Sequence, residues 1–125
     1  MVRKVLITIN NLSVSAELND SVSADKIWEA LPLSGNANVW GDEIYFEIPV
    51  SLEEVSDARQ EVEVGTLGYW PPGSALCIFF GKTPVSTNDK PKAYSSVNIL
   101  GSIDGDSKVF KIVEAGDHIV VDKET

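Results

Sequence analysis

The sequence predicts an all-β fold: a closed antiparallel barrel of about eight strands, with one or two short helices capping it. Three observations lead to this class. The dominant hydropathy period is two, the period of half-buried strands. Turn residues punctuate the chain at intervals of roughly 8–12 residues, the spacing of barrels and sandwiches. Only one segment, 20–31, changes to a helical period. A barrel is favoured over a sandwich because closure removes the edges that so many strands would leave exposed. The length of 125 residues suits a single domain, 1–125.

Taken in order, Val5, Ile7 and Ile9 alternate with Lys4, Leu6 and Thr8, and Leu12, Val14, Ala16 and Leu18 alternate with serines and Glu17. Asn10-Asn11 lies between them, and Asn tolerates the left-handed backbone of a tight hairpin turn. Ala24, Ile27, Trp28 and Leu31 then form one apolar helical face. Asp20, Ser21 and Ser23 are available as N-caps, and Pro32 ends the helix. This helix is expected to plug one end of the barrel and bury Trp28. A second hairpin follows, 37–40 and 43–48, turning at Gly41-Asp42, where Gly at the first central position suits a type II′ turn. Residues 49–60 are acidic and weakly periodic, a surface connection.

The run Ala75 to Phe80 is apolar on both faces, as in a strand covered on both sides. Alternation divides it: Ala75, Cys77 and Phe79 on one face, Leu76, Ile78 and Phe80 on the other. Tyr69 and Trp70 also point oppositely, just before the stiff Pro71-Pro72-Gly73 turn. Residues 81–96, rich in Gly, Pro, Ser, Lys and Asn, predict an irregular surface loop of a length often tied to function. Strands are expected at 97–103, 108–114 and 118–122, separated by Asp104-Gly105-Asp106 and Ala115-Gly116-Asp117.

Ten Lys and Arg against nineteen Asp and Glu give a net charge of −9. That charge, with no run of basic residues, disfavours nucleic acid and anionic membrane surfaces as partners. No apolar stretch approaches the roughly 20 residues needed to span a bilayer. The basic-then-apolar start lacks a small-residue cleavage site, so a cytoplasmic location is expected. One Cys and one His cannot build an ordinary zinc site. Asp104-Gly105-Asp106 lacks the remaining ligands of a calcium loop. Neither a metal nor a cofactor is expected. Cys77 reads as a buried structural thiol, and His118 as a surface residue at a strand start rather than a catalytic base.

What remains is aromatic. Tyr69, Trp70 and Phe80, with Trp40 and Tyr45, are the expected walls of a ligand pocket near the Pro-Pro-Gly turn. Glu43 and Thr83 are its candidate polar contacts. The partner would be a small molecule or a proline-containing, extended peptide.

The run Gly65-Thr-Leu-Gly-Tyr-Trp-Pro-Pro-Gly-Ser-Ala-Leu-Cys-Ile-Phe-Phe-Gly-Lys-Thr-Pro84 resembles the signature of a family of small prokaryotic proteins with a cyclophilin-like fold. Trp40-Gly-Asp-Glu-Ile-Tyr-Phe46 and Ser96-Val-Asn-Ile-Leu-Gly-Ser-Ile103 support it, so the resemblance covers nearly the whole chain. It implies a closed eight-stranded barrel with helical end-caps, in a family of unknown function. Related domains occur in proteins of the allophanate-hydrolase and kinase-inhibitor type, which implies membership of a hydrolase or regulatory assembly as one alternative. True cyclophilins are peptidyl-prolyl isomerases whose arginine hydrogen-bonds the prolyl nitrogen. The resemblance therefore makes Arg59 the candidate catalytic residue of a divergent isomerase. The Gln-Gly-Gly stretch of true cyclophilins is missing, since Gln60 is followed by Glu-Val.

Overall fold

Period-two patterning becomes strand at the start of the chain. In the computed structural model, which describes residues 3–124, β1 (Arg3–Ile9) and β2 (Leu12–Leu18) form an antiparallel hairpin. Asn10 takes the left-handed conformation at the turn, with φ +55°. Helix α1 (Val22–Ala30) is capped by Ser21, whose Oγ accepts the Ala24 N–H at 3.1 Å. It buries Ser23, Ala24 and Ile27. Trp28, expected inside, is only half-buried. Its ring lies under two cations instead, Lys123 Nζ at 4.8 Å and the Arg3 guanidinium at 5.9 Å from the centroid.

The remaining strands are β3 (Leu33–Asn36), β4 (Asn38–Val39), β5 (Glu43–Glu47), β6 (Arg59–Glu61), β7 (Thr66–Trp70), β8 (Ala75–Phe79), β9 (Lys92–Ile103) and β10 (His118–Lys123). They make a ten-stranded antiparallel sheet in the order β3-β10-β1-β2-β9-β7-β8-β5-β4, with β6 added to β9 off this path. The fold is the expected antiparallel, mostly β one, but among the described residues hydrogen bonds do not close the sheet into the expected barrel. Its two edge strands, β3 and β4, are consecutive in the chain and separated only by buried Ala37. At this seam Gly35 lies against the Phe46 ring, whose Cδ2 would be 3.0 Å from a Cβ added there.

Two further expectations change. The loop expected over 81–96 ends early, because β9 begins at Lys92 and runs for 12 residues. Where a strand was expected at 108–114, a 3₁₀ helix, Ser107–Ile112, forms instead, capped by Asp106. Its buried positions, Ser107, Phe110 and the following Val113, recur every third residue, the period of a 3₁₀ helix and not of a strand.

The division of β8 into two faces holds. Leu76, Ile78 and Phe80 enter the main core with Val5, Ile7, Ile44, Phe46, Leu100 and Ile119. Ala75, Cys77 and Phe79 enter a second, smaller cluster with Val62, Ala93 and Val97 on the other side of the sheet. This second layer carries the site.

Candidate functional site

A cavity of about 190 Å³ opens over the second cluster, lined by Trp40, Glu43, Tyr45, Trp70, Ala93, Tyr94 and Val97. Register explains why these residues meet. Trp40 and Glu43 exchange both backbone hydrogen bonds, at 2.9 and 3.2 Å, across the Gly41-Asp42 turn. They are therefore directly opposed and share a face. Gly41 has φ +61°, and Asp42 is not left-handed, as a type II′ turn requires. Along β5, Glu43 pairs with Phe79 and Tyr45 with Cys77. Trp70 pairs with Ala75 from the opposite neighbour, β7. All of these positions therefore lie on the second-cluster side.

The walls are held in place. Trp70 donates its indole N–H to Ser95 Oγ at 2.6 Å. Behind it the Pro71–Gly73 turn approaches so closely that a Cβ on Gly73 would lie 2.6 Å from the indole carbons. Tyr94 meets Trp70 at 6.1 Å between centroids with an interplanar angle of 86°, and Trp40 at 6.3 Å and 68°. Rings set at such angles form corners rather than stacks. Tyr94 is 71% exposed and forms the outer wall.

Glu43 is the one acid among the described residues that line the cavity. It is only 6% exposed, and its Oε1 has no hydrogen-bond partner. Burial pushes its pKa up to about 7, with the Cys77 thiol pulling slightly the other way. Burial likewise raises the Cys77 thiol well above its usual range, and the neighbouring Glu43 carboxyl adds to that. Cys77 is thus a neutral, buried thiol.

Four of the expected site residues, Trp40, Glu43, Tyr45 and Trp70, come together around this cavity. Three others are elsewhere. Tyr69 is fully enclosed in the main core, where its hydroxyl donates to Val50 O at 2.6 Å and accepts the Leu52 N–H at 3.0 Å. It anchors the 49–58 connection, because the hydroxyl must find partners once the ring is buried. Phe80 is buried against Phe110, with centroids 6.1 Å apart. Thr83 is also buried; its hydroxyl donates to Lys92 O, fixing the point where β9 begins. Thr83 therefore acts one step back from the cavity, on the strand that presents Ala93 and Tyr94.

Arg59 lies exposed on β6, paired with Val97 in register, and is not among the cavity-lining side chains. His118 is exposed at the start of β10. Sequence reasoning missed Tyr94, Ala93 and Val97. The available signal was the stretch from Lys92 to Val97, which contains no Gly, Pro or Asn to break a strand. Among the described residues no group of His, Cys, Asp and Glu is arranged to hold a metal ion. No helix among them is long and apolar enough to cross a membrane.

The solution structure of hypothetical protein AF2241 from Archaeoglobus fulgidus shares this fold with a TM-score of 0.83 and 36% identity, over 98% of this chain and 95% of that one. The structure of McbB in complex with tryptophan is similar with a TM-score of 0.68 and 15% identity, over 96% of this chain and 44% of that one. That likeness is one of fold alone. No curated protein matches the chain. Residues 3–122 match the Cyclophilin-like family. The matched residues include the two-faced β8 and the turns that position the cavity, and the chain belongs to the Cyclophilin-like family.

Proposed function

We propose that this protein is a binding module whose aromatic cavity holds a small molecule or one side chain of an extended peptide. The observation that carries this reading is the pairing of a concave, mostly apolar site with a single acid among its described lining residues, Glu43. Ligand sites are typically built this way: apolar walls supply area, and a few polar atoms fix orientation. The volume of about 190 Å³ compares with about 150 Å³ for an engineered cavity that admits benzene. It suits a headgroup or a single side chain rather than a large cofactor. The indole clamped between Gly73 and Ser95 needs little ordering on binding, which lowers the entropic cost.

A thermal-shift screen against metabolites and short peptides tests this, with tryptophan, the ligand of the McbB structure, as one probe. Each stabilising compound is repeated on Trp70→Ala and followed through the indole N–H resonances of Trp40 and Trp70. A ligand that stabilises the wild type and loses its effect in Trp70→Ala supports the reading. If every stabilising compound acts equally on Trp70→Ala, or none stabilises, the reading is refuted.

A further inference from the structure

We infer that the cavity takes an organic cation, an alkylated ammonium group enclosed by Trp40, Tyr45, Trp70 and Tyr94 with its charge set against Glu43. This rests on the cavity being a binding site and specifies the chemistry of its ligand.

Three observations on different side chains agree. First, the rings meet at 68° and 86°, forming a corner of π-systems of the kind that attracts cations and encloses alkylated ammonium groups. Second, the chain shows how it treats its other tryptophan. Trp28 is covered by its own Arg3 and Lys123, whereas no described cation of the protein lies over Trp40 or Trp70. Two electron-rich indoles are thus left for a cation from outside. Third, Glu43 is a nearly buried acid with an orphan oxygen and no ion pair among the described residues. A buried carboxylate is costly unless a positive charge compensates it.

A neutral apolar guest would leave that acid unpartnered and dehydrate it further. A bare metal ion would find one carboxylate where several oxygens are needed. An alkylated ammonium meets both demands, with its alkyl groups on the rings and its charge beside the acid. The net charge of −9 favours the approach of such a ligand.

The titratable groups around Glu43 are Cys77 facing it from β8, Tyr45 on its own strand and Tyr94 from β9. On the adjoining turn Lys111 approaches Asp42 at 4.0 Å. Since the cation requires the ionised acid, its binding should tighten as pH rises through the range where Glu43 loses its proton.

The test is calorimetric titration of the whole chain with choline chloride and with 3,3-dimethylbutan-1-ol, a neutral compound of the same shape. Wild type at pH 8 should bind choline at least tenfold more tightly than the alcohol. Glu43→Gln should lose roughly tenfold for choline and little for the alcohol, and should also lose the pH dependence. A trimethyl-lysine peptide, compared with its unmodified form, distinguishes a protein-borne ammonium from a free one. If the alcohol binds as tightly as choline, or Glu43→Gln leaves choline binding unchanged, the cation inference is overturned while the pocket reading stands. If choline and the peptide fail but another screened compound binds through Trp70, the outcome is the same. If nothing binds through Trp70, both fall.

Discussion

Replacing Glu43 with glutamine isolates the energetic consequence of burying an unpaired acid. The folded-state pKa of about 7 lies above the ordinary value of 4.5. Across that interval the folded protein therefore keeps a proton that the unfolded chain has released. The group's contribution is most favourable below about pH 4.5, declines as pH rises, and has reached its full penalty above about pH 7. At about 1.4 kcal/mol per pH unit, the gap corresponds to about 3 kcal/mol. Glu43→Gln keeps the shape and cannot ionise, so it escapes this loss. The stability difference between variant and wild type should thus shift by about 3 kcal/mol in the variant's favour between pH 4.5 and pH 8. For a domain of this size that is a melting-temperature difference of about 10 °C. Urea unfolding followed by circular dichroism at a series of pH values measures it. The other carboxyls titrate alike in both proteins, so the difference reports on position 43. Parallel stability profiles for the two proteins would refute the reasoning.

Other expectations concern the supports of the site. Tyr69→Phe leaves Val50 O and Leu52 N–H without their partner and should cost about 1–3 kcal/mol. Amide exchange at Leu52 should quicken more than exchange in β1. Asn98 is fully buried; it donates to Ser23 Oγ and Glu53 O and accepts the Val55 N–H. Asn98→Ala should lower stability by about 2–4 kcal/mol, read by denaturant midpoint, and expose 53–58 to proteolysis before the sheet unfolds. Gly73→Ala places a Cβ where the Trp70 ring now lies. It should alter the near-ultraviolet dichroism and weaken binding of any pocket ligand about tenfold, with a stability loss within about 1–3 kcal/mol.

Much of the fold could be read locally. The opening hairpin, the Ser21-capped helix and the two faces of Ala75–Phe80 follow from period and turn chemistry, which act over neighbouring residues. The same logic put Trp40 and Glu43 opposite each other across Gly41-Asp42. What failed depended on distant contacts. Tyr69 became a core residue because Val50 and Leu52 supply partners for its hydroxyl, and nothing around position 69 announces that. Tyr94 was hidden inside a polar stretch, since an exposed aromatic on a strand that gains its other partners from β6 and β7 leaves little apolar pattern. The 3₁₀ helix at 107–112 was mistaken because Val109, Phe110, Ile112 and Val113 supply strand-like residues without strand-like alternation. The open seam was likewise invisible, because local propensity does not register whether the two ends of a sheet hydrogen-bond to each other.

The two faces of β8 serve two packed layers, and the proposed binding cavity lies over only one of them. All five residues of β8 are buried, Leu76 and Ile78 in the main core and Ala75, Cys77 and Phe79 in the second cluster beneath the cavity. On the binding function proposed above, substitutions at Trp40, Tyr45 and Tyr94 would retune ligand preference while the main core across the same sheet stays as it is.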